Sequence, residues 1–257
     1  MKKVIIISYF LPPANFVGSE RVQGWINHLH ENDIYPIVIT RQWNKDQTNV
    51  TDKVHQNVLE HEVFETHEVY RVPYKQTLRD RLFTSKKLPV LRKALTLWEV
   101  IMVNFLKGAL PYSNIYKAAK KILKENNDIE VLIASGRPFQ TFSIGYHLKK
   151  EFTIKWIPDY RDEWTTHPEY KNDQPFGKLV HRLEKKSELK WTSNADYFTT
   201  VSDTLVDNIS KFIGKKGFSI LNGFSETNNP TTIASSTKKE FNILYSGSVY
   251  PYQNFLL

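Results

Sequence analysis

None of the 257 residues is cysteine, which excludes disulfides and thiolate-ligated metals and suits a reducing cytoplasm. Also missing is a run of about 20 mostly apolar residues, the length a membrane-spanning helix needs. The most apolar segment, 88–110, is interrupted by Arg92, Lys93, Glu99, Asn104 and Lys107. Lys2 and Lys3 ahead of an apolar run look like the start of a signal peptide, but the run is short, closes at Pro12-Pro13 and has no small-x-small cleavage site. It reads as a buried strand. The loop after it has neither G-x-G-x-x-G nor the lysine of a phosphate-binding P-loop. No recognition-helix, RRM or KH pattern accompanies the net charge of +8, so nucleic acid is not an expected partner.

What is present is the composition of a folding chain: 40% hydrophobic residues, 24% charged and no low-complexity tract, enough for one large domain or two modest ones. Val4-Ile5-Ile6-Ile7 predicts a buried strand, and Val22, Trp25, Ile26 and Leu29 form the apolar stripe of a helix with Ser19 as its expected N-cap. A second strand at 35–40 completes a βαβ unit, which implies a parallel sheet. Further strands are expected at 69–74, 129–135, 154–157, 197–201 and 218–221, with helices between most of them. This alternation predicts an α/β fold, a Rossmann-like doubly wound parallel sheet over 1–224. Residues 225–240, rich in Ser, Thr, Asn and Lys, read as a linker, and 241–257 as the first strand of a second domain.

Ligands of such sheets lie beyond the carboxyl ends of the strands, where free N–H groups at helix starts attract anions. Two stretches stand there. In the first, Gly18, Ser19 and Arg21 follow the opening strand, and a glycine lets a ligand approach the backbone closely. On that reading a bulky residue at Gly18 spares the chain's own stability. In the second, Gly136-Arg137-Pro138 ends one strand, and Asp159-Tyr160-Arg161-Asp162-Glu163-Trp164 ends the next. Four charges packed beside aromatics at a strand end read as more than a simple turn. The competing reading of the cluster is an internal ion pair of Arg161 with Asp159 or Asp162. His55, His61 and His67 recur at equal spacing, but without tighter convergence they read as surface loop residues rather than a metal site.

Charge is concentrated between Arg71 and Lys124, where thirteen Lys or Arg face only Asp80 and Glu99. The segment 88–110 inside this block is open to two readings. One is a helix packed in the domain, and the other a helix lying on an anionic membrane surface.

The opening Tyr9-Phe10-Leu11-Pro12-Pro13 with Gly18 and Arg21, the cluster from Asp159 to Trp164, Thr199-Thr200-Val201-Ser202, Leu221-Asn222-Gly223-Phe224 and Ile243-Leu244-Tyr245-Ser246-Gly247-Ser248 together resemble a family 4 glycosyltransferase of the GT-B fold. That resemblance implies two Rossmann-like domains facing a cleft, a retaining reaction without a bound metal or separate cofactor, and a nucleotide-sugar donor. It implies that Gly18, Ser19 and Arg21 lie near the donor diphosphate. Arg137, Asp159, Arg161, Asp162 and Trp164 then line the side of a lipid-linked or saccharide acceptor. The family's donor-binding Arg/Lys pair and E-x7-E carboxylates belong to the second domain, which this chain only begins, so the chain is expected to be inactive by itself. The implied location is cytoplasmic, peripheral on the inner face of the plasma membrane through residues 71–124. The alternative is a non-catalytic binding module whose partner supplies the donor domain.

Overall fold

The computed structural model describes residues 1–45, 47, 49–54, 58–107, 111–167 and 174–223. The chain divides into two compact units, Met1–Gly223 and Phe224–Leu257. The second unit, with the expected linker and its following strand, lies outside the described residues, as does His55.

The first unit is an eight-stranded sheet in the order β3-β4-β2-β1-β5-β6-β7-β8. Its strands are β1 (Lys2–Ser8), β2 (Ile34–Arg41), β3 (Glu60–Val63), β4 (Glu68–Val72), β5 (Val131–Gly136), β6 (Lys155–Tyr160), β7 (Phe198–Thr200) and β8 (Gly217–Ser219). All pairings are parallel except β3 with β4. The order runs outward in one direction from β1 through β2 and β4 and in the other through β5 to β8, so the switch point lies between β1 and β5. Among the described residues, seven α-helices connect the strands: α1 (Val17–His28), α2 (Leu78–Thr84), α3 (Pro89–Phe105), α4 (Ser113–Glu125), α5 (Thr141–Glu151), α6 (Pro175–Thr192) and α7 (Asp203–Ile213).

The near-continuous apolar run of β1 is explained by burial on both faces. Val4 and Ile6 join Val22 and Ile26 of α1 in one core cluster. Ile5 and Ile7 point the other way, into a larger cluster with Ile115 and Ile122 of α4 and Phe142 and Leu148 of α5. Trp156 on β6 is fully buried in that larger cluster.

Three local expectations are corrected. Helix α1 starts three residues earlier than Ser19 as N-cap implied, with Phe16 as N-cap and no side-chain cap. Ser19 is inside the first turn and donates instead to the Ala14 carbonyl at 2.8 Å, tying the helix to its own entry loop. The polar segment before β4 contains β3, an antiparallel edge strand whose residues are mostly exposed. Its sequence, Glu-His-Glu-Val, has no apolar alternation to announce it. Ser202 caps α7, its hydroxyl accepting from the Leu205 N–H at 3.4 Å.

Candidate functional site

Beside the switch point, α1 and the carboxyl ends of β5, β6 and β7 converge on one carboxylate. Asp159, the fifth residue of β6, is fully buried. It accepts from Arg21 of α1 through Nε at 3.1 Å to each oxygen and through Nη2 at 2.9 Å. Ser135 of β5 donates to it at 2.9 Å and Thr199 of β7 at 2.8 Å. Arg21 is itself buried, and its remaining Nη1 donates to the Ile220 carbonyl at 2.7 Å and Asn222 Oδ1 at 2.9 Å. A bidentate pair with its lone pairs satisfied is the arrangement in which a buried charge is tolerated. Arg21 therefore clamps α1, three strands and the segment leaving β8. Its guanidinium is occupied by partners within the chain, where the sequence offered it to a diphosphate.

Gly18 is also filled from within. A Cβ built there lands on the Arg161 guanidinium and comes within 2.9 Å of the Phe10 ring. The close approach that requires a glycine is made by Arg161 in this structure, so a bulky substituent at Gly18 meets Arg161 and Phe10 rather than open space. Arg161 in turn donates from Nε to the Gly136 carbonyl at 2.6 Å and from Nη2 to the Arg137 carbonyl at 2.9 Å, so it braces the β5 turn. Burial lowers its pKa from the ordinary arginine value, with Asp159 and Asp162 pulling the other way. Neither of the expected ion pairs of Arg161 is the dominant one: Asp159 pairs with Arg21.

The aromatic part of the cluster is core. Trp164 is 1% exposed, with Phe139 stacked on it at 5.0 Å and Trp191 at 5.6 Å, so it has no free face for a sugar. Tyr160 is equally buried and donates to Glu188 at 3.0 Å. Glu188 also accepts from the Thr165 N–H at 3.1 Å and hydroxyl at 2.6 Å. Burial raises its carboxyl pKa, the Thr165 and Tyr160 bonds opposing. This carboxylate fixes the loop after β6. Nothing about Glu188 stood out in the sequence, because its partners lie more than twenty residues away.

Arg137 and Asp162 are the members of the predicted set that face solvent, paired loosely at 3.8 Å with about half of each side chain exposed. Arg137 also lines a cavity of about 320 Å³ at the same edge of the sheet. Tyr9 and Phe10 after β1, Tyr74 after β4 and Pro138 after β5 form its floor, while Thr96, Glu99 and Val103 of α3 form its other wall. Its polar lining is prearranged. Arg79 donates from Nε to Thr96 at 3.1 Å and from Nη1 to Glu99 at 3.2 Å. Asp80 accepts from the Tyr74 hydroxyl at 2.9 Å and closes a capping box with Thr77 at the start of α2. Burial raises the Glu99 pKa, with Arg79 opposing, and burial also raises that of Tyr74, joined by Tyr9 and Asp80. Under this floor Arg41 is stacked between Trp43, at 3.8 Å, and Tyr74, at 3.6 Å, and donates to the Tyr9 hydroxyl at 3.0 Å.

The cavity was not visible in the sequence, although its position was. Tyr9, Arg41 and Tyr74 each fall at or just past the end of a strand, the one signal that marks them. The histidines do local work: His61 pairs with Glu68 at 2.9 Å and stacks on Tyr70, and His67 stacks on Phe64. Among the described residues there is no group of three or more His, Asp or Glu arranged to hold a metal ion.

No family model matches this sequence, and no curated protein does. Solved structures do match. Sucrose-phosphate synthase from Thermosynechococcus elongatus superposes with a TM-score of 0.53 at 14% identity over 86% of this chain and 48% of that one. The catalytic domain of starch synthase IV from Arabidopsis thaliana, bound to ADP and acarbose, gives 0.49 at 12% identity over 86% and 51%. The first of these likenesses shows the fold: the chain has the Rossmann-like α/β architecture of GT-B glycosyltransferases. It spans about half the length of each of these two structures.

Proposed function

We propose that the chain is the acceptor-side part of a glycosyltransferase that moves a sugar from a nucleotide-sugar onto a lipid-linked or polysaccharide acceptor at the cytoplasmic face of a membrane. The carrying observation is the cavity at the carboxyl edge of a doubly wound sheet of GT-B type, lined by hydroxyls, carboxylates and arginines held in place before any ligand arrives. Sugars are recognised by such fixed polar groups beside aromatic rings, and orienting the acceptor hydroxyl lowers the entropic part of the barrier. In this reading Arg137 and Glu99 contact the acceptor. The Arg21–Asp159 clamp positions the turns that carry Gly18 and Arg137 against a donor diphosphate. The nucleotide-sugar is held chiefly by residues outside 1–223, and the reaction is retaining and uses no bound metal.

The test is a transfer assay with the whole protein, nucleotide-sugar donors and either membrane lipid extract or soluble saccharide as acceptor. Arg137→Ala is expected to raise the acceptor KM about tenfold or more and leave the donor KM unchanged, the signature of a lost acceptor contact. A changed donor KM with an unchanged acceptor KM would reverse the assignment of the cavity. No turnover of any nucleotide-sugar would remove the enzymatic reading.

A further inference from the structure

Helix α3 packs one face on the domain and carries a second apolar stripe on its outer face. The face it turns toward the domain carries Thr96 and Glu99 with Val100 and Val103, and it walls the polar cavity. The opposite face carries Leu91, Ala94, Trp98 and Phe105, spaced by three, four and seven residues and therefore aligned along one side. All four are exposed, Trp98 at 51% and Phe105 at 74%. Val103 already serves the core on the inner face, so this additional outer stripe calls for an apolar surface beyond the domain. Ahead of it, the tip between α2 and α3 holds Lys86 and Leu88 in the left-handed region, at φ 55° and 48°. L side chains adopt that conformation at a cost, and it projects Lys86, Lys87, Leu88 and Val90 together, all exposed.

Charge selects the partner. The segment's two acids are withdrawn: Asp80 is buried as the cap of α2, and Glu99 faces Arg79 in the cavity. What remains outside around the stripe is cationic, with Arg81, Lys86, Lys87 and Lys93 exposed. An apolar stripe rimmed by Lys and Arg, with no free carboxylate among the described residues of 78–107, fits the boundary of an anionic lipid bilayer.

We propose that the α2–α3 hairpin docks on an anionic phospholipid surface. Leu88, Val90, Leu91, Trp98 and Phe105 enter the headgroup boundary while Lys86, Lys87 and Lys93 meet lipid phosphates. The proposal deepens the membrane-face location of the function proposed above. It adds a geometric consequence: α3 alone separates the bilayer from the cavity, so a lipid-linked acceptor keeps its tail in the membrane while its polar head reaches the cavity across one helix diameter, about 10 Å.

The experiment is flotation of the full chain with vesicles of phosphatidylcholine alone or mixed with phosphatidylglycerol, read together with quenching of tryptophan emission by brominated lipid. The wild type is expected to float only with the anionic vesicles, and quenching should vanish in Trp98→Phe. Lys86→Ala/Lys87→Ala should weaken binding about thirtyfold, the equivalent of about 2 kcal/mol at about 1 kcal/mol per basic residue. Leu91→Ser/Trp98→Ser should weaken it further while leaving the thermal midpoint unchanged, since both side chains are already exposed. Equal recovery with neutral and anionic vesicles would overturn the proposal. So would hairpin variants that bind like the wild type, or sedimentation showing a self-associated chain that Leu91→Ser/Trp98→Ser converts to monomer, which would assign the stripe to a second copy. Lipid binding is read here without any transfer assay, so loss of this proposal and loss of the glycosyltransferase reading are separate results.

Discussion

Arg21 and Asp159 on one side of the sheet's carboxyl edge, and the α2–α3 hairpin on the other, handle charge in opposite directions. At the first, every formal charge is turned inward and matched. The guanidinium and carboxylate are both buried and their lone pairs and protons are taken up by Ser135, Thr199, Ile220 and Asn222. At the second, the acids are drawn in and the bases left outside, with apolar residues exposed between them. A matched, buried pair gives one rigid geometry to the turns around it. An unmatched, exposed set gives attraction for something not in the chain. The same residue types thus serve as a frame in one place and a docking surface in the other, and the difference is decided by burial.

The sharpest way to break the contrast is Arg21→Ala. It leaves Asp159 charged and buried without its main partner, and the expected loss is about 3–5 kcal/mol in the free energy of unfolding, measured by denaturant titration. Replacing both partners, as in Arg21→Met/Asp159→Leu, should cost less than the single change, because no charge is then stranded. A loss within about 0.5 kcal/mol for Arg21→Ala, the range of ordinary surface substitutions, would make the clamp a surface feature after all.

Gly18→Val tests whether the frame extends to Arg161. The added side chain displaces a guanidinium held by two carbonyls and presses on Phe10, so a destabilisation of about 1–3 kcal/mol is expected. An unchanged midpoint would show that Arg161 yields freely and that the space beside Gly18 is open to a ligand.

The smallest effect concerns Glu99, whose carboxyl is less well served than that of Asp159. Burial raises its folded pKa above the ordinary 4.5, so the folded state binds a proton more readily than the unfolded chain. This group's contribution is fully present below pH 4.5 and is lost as pH rises through the folded value. Glu99→Gln should remove that dependence, seen as a flatter profile of denaturant midpoint against pH just above 4.5. A profile parallel to that of the wild type would place Glu99 in an environment as well matched as the Asp159 site.

Much of the architecture was legible in the chain because its signals are local. Four successive apolar residues in β1, the three-and-four spacing of α1 and the Ser202-Asp203 start of α7 each act over a few residues. The edge strand β3 escaped because an exposed antiparallel strand needs no apolar periodicity; its pairing to β4 supplies the stability. The site divides in the same way. Its location, past the ends of β1, β5 and β6, follows from the βαβ pattern. The roles of the residues there do not: Asp159 and Arg21 are 138 positions apart, and Trp164 looks alike in sequence whether it meets a sugar or stacks between Phe139 and Trp191.

By itself, then, the sequence determined an α/β sheet of parallel strands, a ligand edge at their carboxyl ends and a basic, apolar segment between Arg71 and Lys124. Only the tertiary structure decided which charges are matched and which are free, because matching depends on partners far apart in the chain. The opening loop with Gly18 and Arg21 became part of a buried clamp, and the segment that could have been core became a helix with Thr96, Glu99 and Val103 toward the cavity and an exposed apolar stripe toward the outside. Periodicity shows that a helix has two faces; packing determines which one looks inward.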